Sequence, residues 1–267
     1  LPMYLLRGYA DDLNLQDWLE HYIFPREDRL DGRAVKAAAT LAIAEALRFG
    51  TTSVSDMYYF CDEICQAVAE SGIKANISRG TSMFLGDDFC FDTFPACREL
   101  VELKDKWHNY DNGRIKIEAS IHAEYTSTYQ LWDALAEYAI NNGLQLQVHL
   151  SETKKEHDEC VEKYGLTPAQ VLHTATRAGA LSQGRTDCGK LAVGCKADLC
   201  VIDTDTPQFT PMTDAACNVV YAAQGADVRL TMVDGEVLYR DGEFTTIDIE
   251  KVKAETQKRT DAILRQL

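Results

Sequence analysis

The stretch Gln145 to Glu152, Gln-Leu-Gln-Val-His-Leu-Ser-Glu, gathers the groups best suited to chemistry in this chain. Leu144, Leu146 and Val148 alternate with Gln145, Gln147 and His149, so a strand here turns an apolar face one way and a polar face ending in histidine the other. In an antiparallel sheet that polar face would meet solvent, leaving His149 a surface residue and Glu152 the opening of the next helix. In a barrel of parallel strands wrapped by helices it would be the interior, with His149 at the C-terminal rim where such barrels keep their active sites. Glu152 then falls on the loop just past the strand, within reach of whatever His149 holds. A second stretch repeats the pattern: Ile115, Ile117, Ala119 and Ile121 alternate with Lys116, Glu118, Ser120 and His122. Two strands with polar faces that both end in histidine favour the barrel.

The elements needed to hold these strands follow one another along the chain. An Ala- and Leu-rich helix is predicted from Gly32 to Phe49 with Gly50 closing it. A weaker helical period from Asn14 to Phe24 carries Trp18 and is expected to stop at Pro25. Strands are predicted at Thr52–Asp56, Ile73–Arg79, Arg114–His122 and up to His149. Helices at Cys61–Glu70, Pro95–Trp107 and Gln130–Ile140 separate them. Strands separated by helical stretches of this length imply right-handed crossovers and a parallel sheet. Beyond Gly165 the pattern changes. A helix begins at Thr167-Pro168 and runs to about Leu181, and Cys188 to Asp203 turns strand-like. Asp227–Val233 and Glu236–Tyr239 form a hairpin around Asp234-Gly235, and an amphipathic helix closes the chain from Asp248 to Leu267. The fold class is therefore α/β: a TIM-type (β/α) barrel in residues 1–184, a small β-sandwich unit in 185–247 and a C-terminal helix in 248–267.

A formal charge of −15 argues against nucleic acid or an anionic membrane as partner, since both need clustered Lys and Arg. The apolar runs are too short to cross a bilayer and no basic-then-apolar signal opens the chain, which points to a cytoplasmic protein with a small-molecule substrate. The nine cysteines include no Cys-x-x-Cys pair, so they read as buried reduced thiols rather than a zinc knot or redox motif.

An ordered set of motifs runs through these elements: Leu5-Leu6-Arg7-Gly8-Tyr9-Ala10-Asp11-Asp12-Leu13, Trp18, Pro25 with Glu27, Ile121-His122 and Val148-His149-Leu150-Ser151-Glu152-Thr153. It closes with Gly189-Lys190-Leu191-Ala192-Val193-Gly194 and Lys196-Ala197-Asp198-Leu199. This set resembles the amidohydrolase superfamily, in particular its branch of methylthioadenosine and S-adenosylhomocysteine deaminases and related chlorohydrolases. The resemblance implies hydrolytic deamination, in which a divalent metal activates water for attack on an aminated ring carbon. It makes His149 a metal ligand and Glu152 the acid/base that moves the water's proton to departing ammonia. It makes His122, Trp18, Glu27 and Arg79 substrate contacts. Trp18 would stack on the base and Glu27 would hold the ribose hydroxyls. Zinc is the first expectation for the metal, and iron and manganese also accept imidazole. On residue type alone, Trp18 would instead be core and Glu27 a surface partner of neighbouring arginines.

The departures from the family pattern are equally specific. Its first-strand His-x-His pair would precede Leu1. A later histidine and a last-strand aspartate would lie between Gly165-Leu166-Thr167-Pro168 and Thr174–Ala180. At about 30 residues per βα unit, the stretch before Cys188 holds about half a barrel. An interruption relative to the family is therefore expected near Leu172-His173, with sheet edges that favour self-association. Two further readings stay open: hydrolysis of another aminated or chlorinated heterocycle, and a shortened, non-catalytic relative.

Overall fold

In a computed structural model of the protein, residues 1–10, 12–13, 17–83, 89–123, 126–149 and 168–265 are described. Helix α1 (Gly32–Arg48) starts where the Asp31 carboxylate accepts from the Ala34 amide at 2.7 Å and ends before Gly50, whose φ of +82° suits a residue without a side chain. The chain then alternates β1 (Ser53–Tyr58), α2 (Cys61–Ser71), β2 (Lys74–Arg79), α3 (Pro95–Trp107), β3 (Ile115–Ala123), α4 (Tyr129–Asn142) and β4 (Leu146–His149). The four strands are parallel and lie in the order β1-β2-β3-β4. This is a half-barrel with its helices on one side.

The two faces of the sheet divide as the alternation requires. Ala75, Ile77, Ile115, Ile117, Ala119 and Ile121 are sealed against Ile64 and Val68 of α2, Leu100 and Leu103 of α3, and Leu131 and Leu135 of α4. The opposite face carries Asn76, Ser78, Glu118 and Ser120, all buried. Residues 183–185 keep it from water at its N-terminal end. Arg185 donates to the carbonyls of Gly113 (2.7 Å), Ala75 (3.1 Å) and Arg114 (3.1 Å) and to Asn76 Oδ1 (2.8 Å). Asn76 Nδ2 in turn donates to Glu118 Oε1 at 2.6 Å and to the Gln183 carbonyl at 3.1 Å. Nearer the rim, Ser78 Oγ donates to Gln147 Oε1 at 2.9 Å, tying β2 to β4.

The appended unit is one antiparallel sheet, β5 (Leu199–Ile202), β6 (Val228–Val233), β7 (Glu236–Arg240) and β8 (Glu243–Phe244), followed by α5 (Ile249–Leu264). Its hairpin turns at Asp234 (φ +52°) and Gly235 (φ +88°), the doubly left-handed geometry that Asp-Gly supplies. The sheet leans on α1 rather than on a second sheet. Thr231 Oγ1 donates to the Leu47 carbonyl at 2.6 Å, and Val233, Leu238 and Tyr239 join the same apolar cluster as the barrel helices. Below β2, the Lys74 ammonium is 1 % exposed and ion-paired to Asp198 and to Asp234 Oδ1 at 2.7 Å, linking the two sheets.

Three expectations change. The helix carrying Trp18 does not stop at Pro25: Trp18–Ile23 continues into Phe24–Glu27. Pro25 cannot donate to the His21 carbonyl, and the Arg26 guanidinium takes that acceptor at 3.1 Å instead, so the turn survives. Of Cys188–Asp203 only Leu199–Ile202 pairs as a strand. The cysteines are not uniformly buried: Cys61, Cys65, Cys97 and Cys188 are, while Cys90 and Cys200 are exposed. Burial pushes the Cys97 thiol up to about 11 and Cys188 up to about 12, so both stay protonated. The helix expected from Pro168 onward runs through Pro168–His173 and Thr174–Ala178 with no departure from helical backbone at His173 (φ −64°, ψ −40°).

Candidate active site

At the C-terminal ends of β1, β2 and β3 lies a cavity of about 1120 Å³, slightly above the usual range of small-molecule sites. Among the described residues its wall includes Glu27, Arg79 and His122, three of the six positions singled out from the sequence. The helix 18–27 roofs it with Leu19, Glu20 and Phe24, and the loop after β1 adds Tyr59 and Phe60.

Glu27 owes its setting to the helix continuing past Pro25, which carries it over the end of β1. There Tyr58, the last residue of that strand, donates its hydroxyl to Glu27 Oε1 at 2.7 Å. Burial raises the Glu27 carboxyl above the usual carboxylate range, and the Tyr58 hydrogen bond pulls part of the way back by favouring the charged form. The same burial, with the Glu27 charge beside it, holds the Tyr58 phenol far above its ordinary value. Tyr58 therefore stays a donor. Glu27 forms no ion pair with Arg26 or Arg29 among the described residues.

Arg79 closes β2. Its Nε donates to Glu99 Oε2 on α3 at 2.6 Å, another of its nitrogens to the Gly80 carbonyl, and its guanidinium lies 4.6 Å from the centre of the Tyr59 ring. Held on three sides, its guanidinium lies on the cavity wall paired with Glu99, which lines the same cavity.

His122 and His149 come from neighbouring strands. Their ring centroids are 5.4 Å apart with planes at 86°. A bulge between Ile121 and Ala123 sets Ala123, rather than His122, opposite His149 in the ladder. His122 Nδ1 is 2.9 Å from Thr126 Oγ1, and its amide donates to the Thr81 carbonyl at 2.8 Å. His149 stands beside His122 but not on the cavity wall as described, and Trp18 packs against the apolar cluster with its neighbours Leu19 and Glu20 facing the cavity instead. Glu152 lies outside the described residues.

Tyr58, Tyr59 and Phe60 were not singled out from the sequence. Three consecutive aromatic residues running from the last position of a barrel strand into the loop that leaves it were the available signal, since that rim is where such folds place their chemistry.

Zinc sites take about three protein ligands. Among the described residues no three His, Cys, Asp or Glu side chains converge, while two imidazoles, those of His122 and His149, lie together. No helix among the described residues is long and apolar enough to cross a membrane.

A parallel half-barrel with a cavity over its strand ends defines the class as one of (β/α)-barrel proteins, and comparison with known sequences makes the family specific. The profile of the amidohydrolase family matches residues 1–166 and 157–238, so the chain belongs to the amidohydrolase family and with it to the hydrolases. The 5-methylthioadenosine/S-adenosylhomocysteine deaminase of Dictyoglomus thermophilum is 28% identical over 368 aligned positions, covering 100% of this chain and 85% of that protein. Set against the 267 residues of this chain, 368 positions leave a difference of 101 without counterpart, and the two family-matched stretches meet at 157–166. A 5'-deoxyadenosine deaminase of Methanosarcina mazei is 27% identical over 99% of this chain and 84% of its own length. Among solved structures, an adenosine deaminase from Xanthomonas campestris with bound zinc superposes with a TM-score of 0.83 at 22% identity, covering 100% of this chain and 83% of that one. An atrazine chlorohydrolase from Arthrobacter aurescens complexed with zinc gives 0.81 at 17% identity, covering 98% and 85%. These two structures show the fold.

Proposed function

We propose that the protein is a hydrolytic deaminase of an adenine nucleoside or its thioether derivatives, of the methylthioadenosine and S-adenosylhomocysteine kind. The observation that carries this reading is the single cavity that joins Glu27, Arg79 and His122 at the strand ends of an amidohydrolase fold. The relatives named for that reaction, aligned over the whole chain, support the substrate class. Glu27, oriented by Tyr58, accepts from the ribose hydroxyls. His122 meets the base, and Arg79 supplies a fixed cation for a polar substituent of the substrate. Glu152 takes a proton from the attacking water and hands it to ammonia, so that the ring carbon exchanges its C–N bond for C–O. His149 would give one ligand to the divalent metal that family membership suggests, zinc before iron or manganese.

A second reading is favoured by the 101 aligned positions that have no counterpart in this chain: a relative that binds the nucleoside without turning it over. One experiment separates the two. The purified protein, with and without added zinc, is given adenosine, methylthioadenosine and S-adenosylhomocysteine while ammonia release and binding heat are measured. Ammonia release supports the deaminase, and binding without ammonia supports the second reading. Neither binding nor release overturns both.

A further inference from the structure

At Phe60 three local rules are broken in one place. It is the residue before α2, where a short polar side chain would cap the helix, and it makes no capping hydrogen bond. Its backbone sits at φ +54°, ψ +45°, a left-handed conformation that is a true outlier for a bulky residue. Its ring remains 37% exposed although buried sites lie close by. Asn, Asp or Gly would satisfy the first two rules and would expose no phenyl group. Departures of this kind gather at functional positions, where the surrounding structure holds a residue against its preference.

The neighbours of Phe60 sharpen the point. Tyr58 holds Glu27 and the Tyr59 ring lies against Arg79, so both have structural duties at the rim. Phe60 lines the same cavity as Glu27 and His122, and its side chain has no hydrogen-bonding group to spend at the rim. We propose that Phe60 is the ring on which the heterocycle of the substrate stacks, a role the family resemblance would have given to Trp18. This rests on the nucleoside reading above. A flat aromatic heterocycle gains from such a face whatever its ring substituents, so the contact fixes the plane of the base while Glu27 fixes the sugar.

The test measures the dissociation constants of adenosine and of ribose by calorimetry, and thermal midpoints, for the wild type, Phe60→Gly, Phe60→Tyr and Phe24→Ala. Phe24 also lines the cavity but sits in ordinary helical geometry (φ −53°, ψ −44°), so it is the control. Phe60→Gly should weaken adenosine about tenfold or more, leave ribose unchanged and keep or raise the thermal midpoint, because glycine accepts positive φ. Phe60→Tyr should stay close to the wild type. A merely structural Phe60 would instead lower the midpoint and leave adenosine binding intact, which would overturn the proposal. So would a loss of adenosine binding confined to Phe24→Ala. If the wild type itself binds no nucleoside, the functional reading fails and the assignment of the ring falls with it, an outcome distinct from a wild type that binds adenosine and a Phe60→Gly variant that binds it equally well.

Discussion

The imidazoles of His122 and His149 stand edge to face, 5.4 Å between centroids, because a one-residue bulge in β3 lets two inward-facing side chains from adjacent strands share one corner of the barrel interior. Side chains in contact act on a common ligand in a coupled way. In a double-mutant cycle of His122→Ala and His149→Ala on nucleoside binding, a coupling energy of about 0.5–3 kcal/mol is expected. Additive losses would show that the two rings serve separate sites.

Glu27 titrates above the ordinary carboxylate range in the folded protein because it is partly buried. A folded-state pKa above the unfolded one means that its favourable contribution is fully present at acid pH and is lost as pH rises through the folded value. Glu27→Gln removes that loss. The variant should match the wild type at acid pH and become the more stable of the two as pH rises, in paired denaturation curves, while binding ribose-containing ligands less tightly. A wild type that gains on the variant with rising pH would contradict the burial argument.

Tyr58 favours the charged form of Glu27 through its 2.7 Å hydrogen bond. In Tyr58→Phe the carboxyl should titrate higher still, so the pH below which nucleoside affinity falls should move upward relative to the wild type. Affinity measured across the acid range checks this, and an unmoved midpoint would remove Tyr58 from the site.

Lys74 places a 1 % exposed ammonium between Asp198 and Asp234. Lys74→Met would leave the buried Asp198 without its cation and Asp234 with Lys196 alone, and breaking a buried pair in this way costs about 3–5 kcal/mol. Urea denaturation should show that loss. Replacing Lys196, whose Nζ is 3.2 Å from Asp234 Oδ1 and which is more exposed, should cost about 0–1 kcal/mol.

Much of the barrel was legible because alternation leaves a direct mark: the Ile115–Ile121 series and the glutamines before His149 announced which faces were inner and outer, and Gly50 and Asp234-Gly235 announced their turns. What stayed hidden depends on residues far apart in sequence. Nothing around Gln183 or Arg185 says that the carbonyl of the one and the guanidinium of the other close the floor of a sheet formed a hundred residues earlier. The Tyr58–Glu27 bond spans 31 positions, and the sequence pointed to Glu27 without pointing to the tyrosine that holds it. The bulge at Ile121/Ala123 carries no glycine to betray it. Pro25 misled because the helix-breaking rule assumes that the orphaned carbonyl finds no other donor, and Arg26 provides one.

Helix α1 serves two masters. One side packs on α2 and the opening turn Pro2–Leu6, another on α5, and its C-terminal end meets β6 and β7. A hydrophobic element shared in this way makes autonomy unavailable to either sheet, since peeling off the small one would strip α1 of part of its cover and open a gap against the large one. Heating should therefore register as a single calorimetric event whose measured and van't Hoff enthalpies agree, and proteolytic fragments holding one sheet alone should not persist as folded species.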